Sequence, residues 1–494
     1  MSVDRRALAA CGFGLFLGSA NTALTAVALP GLAQEQVLSE TMVAWVVIAY
    51  QLPVCSTLLM AGALGDRLGH RRVYLAGLSI FAIAATLCAL AADPVQLIAA
   101  RALQGTGGAV LTPLTLAIVV RAHPDPSDRA QAVGAWTATM GAGAVAGPAV
   151  GAVAMQIAGW RGPFAVTAVG SVLGFAVAFC WLPDRHERRT APIAPVSQAL
   201  LALSLAGALY GLTVWQGASL LWPHLAGAAM VSVGAGLALR FMTSRARHPA
   251  FAGHLLGEPA FRSYALFACA LFFAFGGFTY YYAIYLGRVA DLRPMLIGAY
   301  MTPAALAILL AAPVGARLSQ RFGGRTVLTG AAAAMALGAV LLSMALSQGP
   351  GPSQVLACLV VGAGLGAGNS ALNVAVGRTA KATDPGTASA VLAAARMLGG
   401  AIGIAVYSSF LTLGYCRALT DDASSKLTKK QLATALTISP SRASADKSIS
   451  TATAEAFNSG LTLALLGAFA ILVLVTAVAY RSIGATLPTK PAQR

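Results

Sequence analysis

Fourteen apolar stretches constrain this chain more than any other feature. They fall at roughly 8–30, 41–62, 73–91, 95–120, 130–155, 163–182, 197–214, 223–241, 263–286, 295–315, 326–346, 353–376, 387–413 and 458–480. A helix needs about 20 apolar residues to cross the hydrocarbon core. Backbone groups in lipid must bond internally, which leaves helices or closed barrels. The expected fold class is therefore an all-α polytopic membrane protein with fourteen transmembrane helices. Composition agrees. The 494 residues are 57% hydrophobic and 10% charged, where a soluble domain carries about 25% charge.

The net charge of +17 raises the question of nucleic acid, and its distribution answers it. Basic residues concentrate in loops on the side shared by both termini, among them Arg5, Arg6, Arg67, Arg71, Arg72, Arg121, Arg185, Arg245, Arg321 and Arg378. The short loops opposite carry Arg161, Arg288 and Arg293. This is the positive-inside pattern. It predicts cytoplasmic termini, a lipid bilayer as partner, and no nucleic acid. The seven Cys show neither metal-ligand spacing nor a disulfide framework, and no metal or cofactor is expected. The first stretch is longer than a signal-peptide core and reads as a retained helix.

The stretches divide as six, two and six. Residues 1–182 form one expected bundle and 183–262 hold cytoplasmic linkers and two extra helices. Residues 263–494 form the second bundle, with a long outer loop at 414–457 and a cytoplasmic tail. Duplicated halves of this kind bind substrate between them. A repeat supports the division: "GALGDRLGHRR" (62–72) and "ARLSQRFGGRT" (316–326) pair Leu64 with Leu318, Arg67 with Arg321, Gly69 with Gly323 and Arg71 with Arg325. Asp66 pairs with Gln320, so the second copy lacks the acid. In the first copy, Asp66 is placed to pair with a neighbouring Arg or to sit at a helix N-terminus.

"GALGDRLGHRR" resembles the loop between the second and third helices of the major facilitator superfamily. "RALQGTGGAVLTP" (101–113) resembles its fourth-helix motif. "GAGAVAGPAVGA" (141–152) resembles the fifth-helix antiporter motif, with Gly147-Pro148 at its centre. "WVVIAYQLP" (45–53), which contains Gln51, and "ARMLGGAIGIAV" (395–406) resemble helices of the fourteen-helix drug:proton antiporter branch. The resemblance implies two rocking halves, alternating access, and gating or coupling roles for Asp66, Arg67, Arg71, Arg101, Gln104, Gly147 and Pro148.

Arg101 lies inside the fourth stretch. A charge at mid-bilayer costs at least about 2.5–3.5 kcal/mol, so it should face the protein interior or a wet cavity. Gln104 is one turn away and able to share its hydrogen bonds. A structural Arg bonded to backbone carbonyls, or one snorkelling to the interface, is the alternative. Arg396 is the second embedded charge, with a helix-end anchor as its alternative. The small residues around Gly147 and Pro148 predict tight packing of the fifth helix on its partner in the other half. Asn369 and Asn373 lie one turn apart on a Gly-rich face that suits packing and, second, a pocket. Phe272, Phe275 and Tyr282 are candidates for an aromatic pocket wall. Tyr281 and Tyr285 suit an interfacial aromatic belt.

Every one of the 16 acids falls in a loop or at a span end, and no His is mid-span. In the first helix, "SANTALTAVALP" (19–30), Asn21 stands where the antiporter branch commonly has Asp. Asn21 and Thr25, with Gly14 and Gly18 on nearly the same face, read as a cavity-facing side. Permanent cations are then poorer substrates than neutral or anionic compounds. The sequence thus predicts a monomeric inner-membrane exporter of a small organic molecule, exchanging it for protons and not an enzyme. The cavity residues would be Asn21, Thr25, Gln51, Phe272, Phe275, Tyr282, Asn369, Asn373 and Arg396. A facilitator or importer without proton coupling is the alternative within the class. A non-transporting receptor or scaffold, or a membrane enzyme, is the alternative outside it.

Overall fold

The computed structural model describes residues 3–35, 40–123, 125–183, 195–214, 258–379, 385–421 and 447–484, together with Ala229, Met230, Val233 and Leu237. The described residues are helical, joined by short turns: α1 (Val3–Glu35), α2 (Glu40–Leu68), α3 (His70–Leu90), α4 (Pro94–Gly108), α5 (Leu111–Ala122), α6 (Pro126–Ala158), α7 (Arg161–Trp181), α8 (Pro195–Val214), α9 (Pro259–Arg288), α10 (Pro294–Phe322), α11 (Gly324–Leu346), α12 (Pro352–Thr379), α13 (Pro385–Asp421) and α14 (Lys447–Gly484). Of the eighth expected span, at 223–241, the four described residues are helical and exposed. Met230, Val233 and Leu237 follow the three- and four-residue steps of one helix face, as suits a side turned to lipid.

Local chemistry sets several boundaries. Pro begins α4, α9 and α10, where its missing N–H costs nothing. Asp93 caps α4 by accepting from the Gln96 N–H. The fourth span is not one helix as the sequence suggested: it breaks at Ala109–Val110 into α4 and α5, directly after Gly107-Gly108. Gly107 lies against the backbone of Phe81 and the Gly77 carbonyl, so close that a Cβ would clash. Helix α2 bends by 56° between Leu58 and Met60. The bend follows Ser56 and Thr57, whose hydroxyls donate back to the Pro53 carbonyl.

The expected outer loop is shorter than 414–457. Helix α13 continues to Asp421 and α14 starts at Lys447, because Ser, Thr, Ala and Glu can extend a helix past the bilayer as readily as an apolar run can within it. The short helix suggested around 428–436 lies outside the described residues, as does the linker at 184–194.

By their contacts the helices fall into two sets, with one buried apolar cluster running through both. In the first, α1 lies on α6 and α7, and α3 on α4 and α7. In the second, α12 lies on α10 and α11, and α9 on α13 and α14. The sets meet along two seams, α2 with α13 and α6 with α10. Helix α8 touches both α2 and α13, and its Tyr210 ring sits 6.3 Å from that of Trp45.

Candidate functional site: two arginine pockets on either side of helix α2

Arg101 is buried to 1% exposure inside the first set. Its Nε donates to the Val46 carbonyl at 2.9 Å and its Nη1 to Gln104 Oε1 at 2.6 Å. Gln104 Nε2 then donates to Asn21 Oδ1 at 3.2 Å. The guanidinium stacks 4.6 Å from the Tyr50 ring centre and 5.7 Å from that of Phe164. In a desolvated site each such contact is worth about 2 kcal/mol, and hydrogen bonds from a charged donor about 1.5–3 kcal/mol. These contacts offset the cost of an embedded charge in place of a counter-ion. Arg101 thus faces the interior and bonds a backbone carbonyl, combining both sequence readings, and it does not snorkel.

Asn21 and Thr25 belong to this pocket and not to an open cavity. Both are buried, and the Thr25 hydroxyl donates to the Asn21 carbonyl. Gly14 on the same face lies against the Tyr74 hydroxyl and Gly18 against Leu111. This side of α1 is turned into its own bundle, because small residues invite close helix approach as readily as they line a cavity. Asn21 Nδ2 is buried with no hydrogen-bond partner among the described residues.

Helix α2 separates this pocket from a second one. Val46 and Tyr50, one turn apart, face Arg101, whereas Gln51 and Cys55 face α13. The Gln51 amide packs on Gly400, and Cys55 Sγ donates to the Ala394 carbonyl at 3.4 Å. On the far side stands Arg396, half-buried. Its Nη2 donates to Asn373 Oδ1 at 2.5 Å, and its guanidinium carbon is 5.9 Å from the Phe272 ring centre. Arg396 Nε and Asn369 Oδ1 are buried without partners among the described residues. Asn373 is exposed. Arg396 lies three turns into α13 and five residues past Val391, where the apolar span begins.

Other candidates fall elsewhere. Tyr282 is buried among α9, α11 and α12, where its hydroxyl donates to Gln354 Oε1 at 3.1 Å. Gln354 Nε2 reaches the Tyr285 hydroxyl and the Gly349 carbonyl, and Tyr285 donates to the Leu346 carbonyl. Tyr281 and Tyr285, expected in an interfacial belt, are 0% and 1% exposed. Periodicity cannot separate an aromatic that meets headgroups from one that meets another helix. Phe275 joins this ring stripe through Phe278 and Tyr282, not the Arg396 group.

The Gly-rich face of α6 divides its contacts. Gly143 and Gly147 pack on α1, against the Phe16 carbonyl and Ala23, so Gly147 does not meet the other half. Gly141 meets Leu309 of α10, and the Pro148 carbonyl meets Gly298 of α10. Gly287 of α9 lies against Pro30 of α1. Close inter-half contacts therefore include three from the Pro30 end to mid-helix.

At the opposite end, Asp66 sits in the last turn of α2, not at a helix N-terminus. Its partners are Arg121, with Nη2 at 3.3 Å, and His70, with Nε2 at 3.4 Å. Arg121 Nη1 also faces His70 Nδ1 at 3.4 Å. A ring nitrogen facing a guanidinium N–H accepts, so Nε2 carries the proton and points it at Asp66. The neighbouring arginines take no part: Arg67 is exposed, and Arg71 donates to the Phe179 carbonyl at 2.7 Å. The sequence signal for Arg121 and His70 was their charge type alone; the fold brings Arg121 across 55 residues. In the second copy of the motif, Arg325 stacks on Tyr480 at 3.3 Å.

The comparisons with known proteins match this layout. The sequence profile described as "Major Facilitator Superfamily" matches residues 11–404. The chain belongs to the Major Facilitator Superfamily. It is 28% identical to the multidrug resistance protein Stp of Mycobacterium tuberculosis, over 82% of this chain and 75% of that one. It is 31% identical to the methylenomycin A resistance protein of Streptomyces coelicolor, over 77% and 81%. Among solved structures, a bacterial homologue of the human lysosomal transporter Spinster, inward-facing and unoccupied, superposes with a TM-score of 0.68. It has 16% identity and covers 99% of this chain and 100% of that one. Superfamily membership makes this a multi-span transporter fold.

Proposed function

We propose that the chain is a secondary transporter that exports a small organic compound, neutral or anionic, across the bacterial inner membrane in exchange for protons. The observation that carries this reading is the pair of embedded arginines, one on each side of α2, in a chain whose relatives confer multidrug and methylenomycin resistance. The substrate meets Gln51, Phe272, Asn369, Asn373 and Arg396. Asp66, with Arg121 and His70, latches α2 to α5, and the Pro148–Gly298 contact closes the Pro30 end. We assign 1–182 and 263–494 to the moving halves, 183–262 to the linkers and extra helices, and both termini to the cytoplasm. The unit is a monomer, without cofactor or enzymatic step.

Purified protein in vesicles with an imposed pH gradient tests the proposal. Directed movement of an organic dye that collapses with the gradient supports it; movement of no dye under any gradient refutes it. A specific feature favours a second reading, a facilitator without proton coupling: Asn21 occupies the usual acid's place, and no span centre carries a carboxylate. Dye movement that ignores the pH gradient would select it.

A further inference from the structure

The two embedded arginines differ in what they leave free. Arg101 has its Nε on Val46, its Nη1 on Gln104 and aromatic rings beside it. Among the described residues Arg396 makes a single hydrogen bond, from Nη2 to Asn373, and its Nε is buried with no acceptor. Nε and Nη2 form one edge of the guanidinium. That edge is a fork whose two parallel N–H bonds match the two oxygens of a carboxylate. One prong of the fork is held by the Asn373 amide oxygen and the other is empty.

We propose that Arg396 binds the carboxylate of an aromatic organic acid, and that Asn373 Oδ1 holds the place of one carboxylate oxygen until the substrate arrives. This rests on the transport reading above and names the substrate class of the same site. Three further observations fit. Asn373 is exposed, so its side chain has room to swing aside and uncover both prongs. Phe272 stands under the guanidinium, offering a face on which an aromatic ring attached to the carboxylate can stack. No carboxylate of the chain lies in a span centre to neutralise Arg396, so an anionic substrate supplies the missing charge. The vacant Nε explains why the site discriminates. A carboxylate satisfies both prongs, whereas an uncharged amide offers one oxygen and places an NH2 donor against the other N–H. A site built to pair a polar group rejects the analogue that leaves it unpaired.

The experiment uses the full chain in nanodiscs and in vesicles, with 1-pyrenebutyrate and its uncharged amide as the probe pair. Binding of the acid should exceed that of the amide by at least about tenfold. Arg396→Gln should weaken the acid by about tenfold or more and the amide by less than about twofold. Arg396→Lys keeps the charge but loses the fork, and should retain an intermediate preference. Transport of both probes at equal rates by the wild type overturns the carboxylate site while leaving the transport reading intact. So does an equal loss of both probes in Arg396→Gln when the variant remains monodisperse. Failure of both probes to bind or move overturns the carboxylate site. Failure of the transport reading is separate: it appears as no gradient-driven movement of any dye.

Discussion

The pockets around Arg101 and Arg396 share a wall, α2, and differ in closure. Around Arg101 the chain supplies acceptors and aromatic faces of its own, and the side chain is buried to 1% exposure. Around Arg396 it supplies one exposed Asn and leaves a donor unused. Equal charges, one fully buried and one half-buried, therefore serve unlike ends. A guanidinium held by two hydrogen bonds and two ring faces ties together the helices that contact it, here α2, α4 and α7. A partly satisfied one retains free energy for an incoming group.

The comparison can be broken at several points. The largest effect is expected from Arg101→Ala, which leaves Gln104 Oε1 without its donor and removes the tie to the Val46 carbonyl. It should abolish vesicle transport and cost about 3 kcal/mol of stability, given about 1.5–3 kcal/mol per charged hydrogen bond. Thermal unfolding in detergent should show a clear fall in midpoint. Arg396→Gln, measured the same way, should leave that midpoint nearly unchanged. Equal destabilisation by the two variants would erase the distinction.

Next comes Asn21→Asp, which returns a carboxylate to the Arg101 pocket. The orphaned Nδ2 disappears, and the carboxylate gains the attraction of Arg101 through Gln104. The variant should fold at least as stably as the parent. With a titratable group now in that pocket, transport should acquire a new pH dependence. An unchanged pH profile would mean that position 21 does not exchange a proton during transport.

A smaller effect is expected at the charged end. Asp66→Asn removes the acceptor shared by Arg121 and His70 and should slow transport a few-fold, with little change in substrate affinity. His70→Gln keeps a donor toward Asp66 and should retain most of the rate. If His70→Gln is as slow as Asp66→Asn, the imidazole and not the Arg121 pair holds α2 to α5.

The sequence made the spans legible because apolar runs of bilayer length have few other uses, and the repeated loop motif marked the duplication. It also placed Gln104 beside Arg101, since they share a helix. It did not reveal that Asn21 closes the chain of bonds from Arg101, since the contact joins residues 83 apart. Nor did it reveal Arg121 as the partner of Asp66, because Arg67 and Arg71 were nearer in sequence. The tyrosines of α9 misled for a different reason. An aromatic side chain is equally at home between helices and among headgroups, and only the packing of Gln354 against Tyr282 and Tyr285 decides between them.

Helix α8 touches both α2 and α13, at the seam between the proposed moving halves. A body pressed to both faces of a hinge cannot stay fixed to both when the hinge turns. One of its contacts must shear in each cycle, and the surrounding acyl chains must give way as it does. In the proposed cycle, friction with the bilayer would enter the turnover rate, and bilayer thickness and fluidity would become kinetic variables of the protein.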